Sequence, residues 1–318
     1  MVALVGTTAS GKSALALAVA LSRPDVEIVA VDSMSVYRGM DVGTAKPSAA
    51  ARAAVPHHLL DVADPSEEFN VSDFQAAARA ALSGVAERGN RALLVGGTGL
   101  YLRAVVDRLE LPGRFPEVAA RLEREAAAPG GVERLHAELA GLDPLGASRM
   151  TPSNRRRVLR ALEVTIGSGR PFSSFGPGLE SYPPTPVALV GLPFDPASVD
   201  RRIEERVHRF MDEGLLDEVR RLAAHPGGLS RTARQALGYR ELLAHLEDGV
   251  ALEASVAEIV RRTRAYARRQ WAWFRRDPRV RWVADEEDAA AVLAAALDGH
   301  RSAGGAHGGP AEGAKLER

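Results

Sequence analysis

The chain has 318 residues, 46 % of them apolar, as many acidic as basic side chains, and no cysteine. That length holds one large domain with an insertion, or two domains. The missing thiols exclude disulfides, thiolate metal sites and a cysteine nucleophile and fit a reducing cytoplasm. No apolar run is long enough for a membrane span, and a strand rather than a signal peptide opens the chain.

Val2-Ala3-Leu4-Val5 is a short apolar run. It leads into Gly6-Thr7-Thr8-Ala9-Ser10-Gly11-Lys12-Ser13 and then into the helix-forming run that begins at Ala14. The order strand, glycine loop, helix is the context that the phosphate-loop pattern G-x-x-x-x-G-K-[ST] requires. The glycines let backbone N–H groups turn inward, and the new helix adds its N-terminal dipole. Lys12 supplies a mobile positive charge, and the Ser13 hydroxyl can sit on Mg²⁺. The loop is of the kind found in nucleotide-binding and ATP-binding proteins; by itself it leaves open which di- or triphosphate binds.

Glu27-Ile28-Val29-Ala30-Val31 predicts a second buried parallel strand, with Asp32 at its C-terminal end, where ligands of open α/β sheets sit. Asp32 has two readings, a cap for the next turn or a group beside the phosphate loop. The stretch from 33 to 47 reads as a loop. His57 and His58 are adjacent, so they cannot both face one metal on a regular element; they read as structural. Residues 71–88 predict a helix, with Ser72 as N-cap and Phe74, Ala78 and Val85 on its apolar stripe. Residues 91–95 predict a third strand ending in the glycine turn Gly96-Gly97-Thr98-Gly99. Three such units make a doubly wound α/β sheet the expected fold.

From residue 112 to 150 proline and glycine interrupt short helical stretches, which predicts a small helical insertion. The core then continues over 151–298. Arg155, Arg156, Arg157 and Arg160 crowd the polar side of an amphipathic helix, opposite Val158, Leu159 and Leu162. Residues 187–192 predict a fourth strand, and the remainder reads as helical. Between 261 and 276 there are seven arginines, Arg268 and Arg269 among them, with Trp271 and Trp273 and no acid. Both arginine helices allow nucleic-acid contact, through phosphate pairing and base stacking, or a face packed on acidic neighbours. Residues 299–318 read as a disordered tail.

These segments together resemble the tRNA dimethylallyltransferase (tRNA isopentenyltransferase) family. The resemblance rests on the phosphate loop; Asp32-Ser33-Met34 with residues 37–47; Pro56-His57-His58-Leu59; Gly96-Gly97-Thr98-Gly99-Leu100-Tyr101; Arg157 with Arg160-Ala161-Leu162-Glu163; Gly238-Tyr239-Arg240; and Thr263, Arg264, Tyr266, Ala267, Arg269, Gln270, Trp273, Phe274 and Arg275. It implies a P-loop-type core with a helical insertion. It also implies Mg²⁺-dependent transfer of a dimethylallyl group from dimethylallyl diphosphate to the adenosine just 3′ of the tRNA anticodon, by a cytoplasmic monomer. The phosphate loop would hold the prenyl diphosphate rather than ATP, Asp32 would be the general base, and Thr98 would order the reacting groups. Contacts to the anticodon stem-loop would come from Asp32, Ser33, Met34 and Ser35, from Arg156, Arg157, Val158, Leu159 and Arg160, and from Gln235, Gly238, Tyr239 and Arg240. Ser35 and Arg156 stand where many members carry glutamine, and Asn154 where many carry aspartate.

The residues agree with that chemistry. An adenine amine is a weak nucleophile and gains from a carboxylate that takes its proton; a leaving diphosphate needs concentrated positive charge, such as Lys12, Mg²⁺ and the loop amides supply. Two other readings use the same loop. A small-molecule kinase would place a second Asp after a strand, where this chain has Gly-Gly-Thr, and a non-catalytic RNA-binding protein would give Asp32 no task.

Overall fold

The computed structural model describes residues 1–176 and 178–302. In chain order its elements are β1 (Val2–Val5), α1 (Lys12–Leu21), β2 (Val26–Val31), α2 (Ala49–Ala54), β3 (His57–His58), α3 (Val71–Glu87), β4 (Arg91–Gly96), α4 (Gly99–Val106), α5 (Pro116–Ala126), α6 (Gly131–Leu142), α7 (Pro144–Ser148), α8 (Arg155–Ser168), β5 (Ala188–Gly191), α9 (Pro196–Asp212), α10 (Leu215–Ala223), α11 (Tyr239–Asp248), α12 (Leu252–Phe274), β6 (Val280–Trp282) and α13 (Glu286–Ser302). The described residues form two compact units, one within 1–106 and 184–302, the other within 107–183.

The first unit is built on a parallel sheet in the order β3-β2-β4-β1-β5-β6. Its central strands are apolar on both faces because both faces are covered. Val2 and Leu4 pack with Ala16 and Val19 of α1 and with Leu293 and Leu297 of α13. Ala3 and Val5, pointing the other way, join a larger cluster with Phe74 of α3, Tyr101 of α4, Ile203 of α9, Leu242 of α11 and Phe274 of α12. The expected doubly wound sheet is therefore present, and it is wider than the four strands legible in the sequence. The two additional strands, β3 and β6, are edge strands of two and three residues, too short to show any alternation. In β3 the histidines have structural partners: His57 Nδ1 meets the Val55 carbonyl at 2.7 Å and His58 Nε2 meets Glu27 at 2.5 Å.

Helix α3 is capped by Asn70, not Ser72. The Asn70 carboxamide accepts from the N–H groups of Ser72 and Asp73, and Asp73 returns a bond to the Asn70 N–H. This reciprocal box satisfies more of the orphan donors of the first turn than a serine within that turn could. The stretch 33–47 is ordered from two sides. Glu218 of α10 accepts the N–H groups of Asp41 and Val42, each at 2.9 Å, and of Gly43 at 3.2 Å. The buried Lys46 ammonium reaches Tyr37 O, Asp41 and Asp61. Helix α13 runs through Ser302, so the predicted tail does not begin at 299; residues 303–318 lie outside the described residues.

The second unit is larger than the predicted insertion at 112–150. It spans 107–183 and takes in α8. Val158, Leu159 and Leu162 need an apolar partner surface, and they find it on Leu122 of α5 and on Leu135 and Leu139 of α6. The glycines and prolines of this region mark helix ends within the unit rather than its limits. Asp143 starts α7 by accepting from Gly146 N–H at 2.8 Å and also holds Ser173 through its N–H and hydroxyl.

Candidate active site

Register brings three strand ends to one line. Val5 and Val31 are both level with Gly96, so β1, β2 and β4 release Gly6, Asp32 and Gly97-Thr98 at the same edge of the sheet. β4 lies between the other two. At the usual spacing of about 5 Å between strands, Asp32 and the start of the phosphate loop stand about 10 Å apart, with the Thr98 turn between them.

The phosphate loop is preset for an anion. Gly11 adopts φ 87°, a left-handed conformation that glycine takes without strain, and caps α1 with no side-chain acceptor. The first-turn amides are thus left without a capping side chain. Lys12 Nζ donates to the Thr7 carbonyl at 3.0 Å. Thr7 and Ser10 are buried, and among the described residues their hydroxyls have no hydrogen-bond partner. Ser13 is exposed on the first turn of α1.

A second cation joins the loop from α9. Arg206 Nη1 donates to Thr8 Oγ1 at 3.1 Å, and among the described residues no carboxylate pairs with it. Burial, then Arg209, pushes its guanidinium below the usual arginine range. Burial first, then Arg206, pushes the Lys12 ammonium down to about 8, against an opposing pull from Asp32. Two cations that burial and neighbouring positive charge disfavour both gain from an incoming anion. Arg206 was not singled out in the sequence. The available signal was an arginine next to Ile203 and Val207 on the core-facing stripe of an amphipathic helix.

Asp32 fulfils both of its sequence readings. Its Oδ1 accepts from Met34 N–H at 2.7 Å and from Ser35 N–H at 3.1 Å, which caps the turn. Its Oδ2 accepts no hydrogen bond among the described residues. Ser33 and Met34 are half-buried, and Ser35 is buried with its hydroxyl unpartnered. Thr98 Oγ1 is buried against the Tyr266 phenol of α12. Helix α12 closes this side. Tyr266 stays a phenol, because burial and then the Asp32 carboxylate push it up to about 12, against contacts with Thr98 and Gln270. Gln270 accepts from Thr8 N–H at 2.7 Å and donates to the Gly97 carbonyl at 2.9 Å.

The remaining candidates divide by burial. Val158 and Leu159 are core residues of the second unit, 0 % and 6 % exposed, so their side chains serve packing and not contact with a partner. Tyr239 is 0 % exposed, and its hydroxyl donates to Glu218 at 2.6 Å. Gly238 is buried and donates to Glu241. Gln235, Arg240, Arg156 and Arg157 are exposed. Arg160 is engaged by the Pro112 and Gly113 carbonyls and by Glu163.

On α12 four arginines face acids: Arg261 with Glu258, Arg262 with Glu241, Arg264 with Glu204, and Arg268 in a two-pronged pair with Asp200. For Arg262, Arg264 and Arg268 the packed-face reading holds; Arg261 pairs with a residue three positions back on its own helix and stays exposed. Arg269 lies over the Tyr266 ring at 5.8 Å, and Arg275 and Arg276 have no acidic partner among the described residues. No helix among the described residues is long and apolar enough to cross a membrane, and no cluster of acids and histidines there could hold a metal by itself.

Residues 35–277 match the family model for IPP transferase. The tRNA dimethylallyltransferase of Pseudarthrobacter chlorophenolicus is 48 % identical over 297 residues, 93 % of this chain and 97 % of the relative. That of Kineococcus radiotolerans is 49 % identical, covering 89 % of this chain and 90 % of the relative. A solved full-length tRNA isopentenylpyrophosphate transferase from Bacillus halodurans superposes with a TM-score of 0.68 at 35 % identity, covering 95 % of this chain and 98 % of its own. A eukaryotic dimethylallyltransferase acting on tRNA has the same fold, with a TM-score of 0.77 at 24 % identity over 95 % of this chain and 79 % of its own.

Proposed function

The chain belongs to the tRNA dimethylallyltransferase family, and from that membership we propose how its own residues carry out the transfer of a dimethylallyl group to tRNA. The donor is dimethylallyl diphosphate, and the acceptor is the exocyclic amine of the adenosine 3′ to the anticodon. The observation that carries this reading is the common edge at which the phosphate loop, Asp32 and Thr98 leave the sheet.

The diphosphate lies in the phosphate loop, facing the open amides of α1, Lys12, and Arg206 held beside Thr8. These donors stabilise the negative charge that grows on the leaving oxygen as the carbon–oxygen bond breaks. The amine nitrogen forms the new bond to the freed allylic carbon, and its proton passes to Oδ2 of Asp32, the oxygen the turn leaves open. The Thr98 hydroxyl, beside the Tyr266 phenol, orients the acceptor. The adenine leaves its stack to reach this edge, as base-modifying enzymes require. The exposed Ser13 hydroxyl on the first turn is the residue that would hold Mg²⁺ in the phosphate-loop manner, where the ion would supply positive charge to the diphosphate. Exposed Arg156, Arg157, Gln235, Arg240 and Arg269 are the tRNA contacts, and the protein works as a cytoplasmic monomer.

Incubation of the purified protein with tRNA, Mg²⁺ and dimethylallyl diphosphate, followed by mass spectrometry of the tRNA nucleosides, tests this directly. A dimethylallyl-adenosine product is expected. Tight ATP binding with rapid hydrolysis, and no prenylated nucleoside, would instead establish the kinase reading.

A further inference from the structure

The phosphate loop and the Thr98 turn are joined by backbone pairing only as far as Val5 and Gly96. Beyond that, among the described residues the hydrogen-bonded link between them is one side chain, Gln270. It is 6 % exposed. Its Oε1 accepts from Thr8 N–H at 2.7 Å, and its Nε2 donates to the Gly97 carbonyl at 2.9 Å. The brace fits tightly, since a Cβ on residue 97 would collide with Gln270 Nε2. Its base is firm as well, because Ala267 and Phe274 on the same helix are buried in the main core.

We propose that Gln270 is a positioning residue for transfer: it sets the separation between the group that holds the diphosphate and the turn that presents the acceptor. The proposal rests on the function argued above. Thr8 is the loop residue to which Arg206 is tied, and Gly97 directly precedes Thr98. The separation held by Gln270 therefore governs how the group bound at the loop is placed against the acceptor presented at the Thr98 turn. The carboxamide suits this position because it offers an acceptor and a donor on one planar group. Glutamate keeps the acceptor for Thr8 but sets a second oxygen against the Gly97 carbonyl. It regains a donor only when protonated. Methionine keeps the length and packing and loses both bonds.

Lys12, Arg206 and the loop amides all remain in such variants, so ground-state binding should change little. A displacement of about 1 Å between reacting groups costs roughly 100-fold in rate. The experiment compares wild type, Gln270→Met and Gln270→Glu in steady-state transfer, with calorimetric binding of dimethylallyl diphosphate as a check on the folded site. Wild-type transfer is measured first; its absence would overturn the proposed function itself and leave Gln270 no reaction to position.

The expected result is a fall in kcat of about 100-fold for Gln270→Met, with KM for both substrates within about threefold. Gln270→Glu should recover relative to wild type as pH is lowered from about 8 to about 6, as the carboxyl gains its proton. The proposal is overturned if kcat stays near wild type, if the loss lies wholly in KM, if the variants no longer bind the diphosphate, or if the Gln270→Glu ratio does not change with pH.

Discussion

Strand β2 has an acid near its start and another just past its end, and the fold treats them in opposite ways. Glu27 is 1 % exposed, and both of its oxygens are engaged. Arg88 donates to them at 2.9 and 2.7 Å, Asn90 at 2.7 Å, and His58 Nε2 lies at 2.5 Å. Arg88 foremost, then Asn90 and His58, hold the carboxyl down to about 2 against the opposing effect of burial. Asp32 has one oxygen bound by two amides and the other open. Glu27 fastens β2 to β3 and to the end of α3, whereas Asp32 stands at the edge where the phosphate loop emerges. The saturated acid is architecture, and the acid with one open oxygen is the one proposed as the proton acceptor.

The largest effect should come from breaking the open side. Asp32→Asn keeps the size and the turn-capping oxygen but takes no proton, so turnover should fall roughly 10²–10⁴-fold while both substrates still bind. Single-turnover assays and calorimetry check the two halves of that statement. Wild-type turnover across the pH range would return Asp32 to the role of a turn cap.

Glu27→Gln should do the reverse. It should cost about 2–3 kcal/mol in urea unfolding, because Arg88 and His58 lose a buried charged acceptor, with kcat of the folded enzyme unchanged. The pH dependence follows from the same pairing. The Glu27 carboxyl is lowered from 4.5 to about 2 on folding, so its contribution is complete above the unfolded value and is lost as pH falls through about 2. The acid-unfolding curve of Glu27→Gln should lack that part of the slope.

A third effect concerns Lys12, whose charge is present below about 8 and lost above it. The apparent Kd for dimethylallyl diphosphate should rise by up to about tenfold per pH unit above that value, and Lys12→Arg should shift the break upward.

The smallest effects extend the contrast to the arginines. Charge reversal at the exposed Arg156 and Arg157 should weaken tRNA several-fold and reduce the salt slope by about one per lost phosphate contact. Arg268→Ala, which removes a group already paired with Asp200, should change tRNA affinity less than twofold, by order of magnitude. Filter-binding titrations across salt concentrations compare the two. Equal losses would place the paired and unpaired arginines on the same footing.

Much of this site is legible before folding. The phosphate loop, the strand-terminal Asp32 and the turn at Thr98 each announce themselves by a short local pattern, and all three emerge on one edge because parallel strands in register end together. The arginine helices were legible only as alternatives. Arg268 and Arg157 look alike in a run of charges, and what separates them is Asp200, which lies on another helix. Val158, Leu159 and Tyr239 fell within contiguous segments expected to touch tRNA, yet a helix turns about 100° per residue, so a contiguous segment includes residues of its packed face as well as of its exposed one.

The sequence by itself determined the α/β class, the glycine-rich loop after β1 and the acid at the end of β2, because each is written in a short local pattern. Only the tertiary structure decided the limits of the second unit, the addition of β3 and β6 to the sheet, the approach of Arg206 to Thr8, and the Gln270 bridge from Thr8 to Gly97. Each of these joins residues tens to hundreds of positions apart, or rests on a segment too short to show a period. Their pairing is set by where helices dock on the sheet, and no local pattern carries that information.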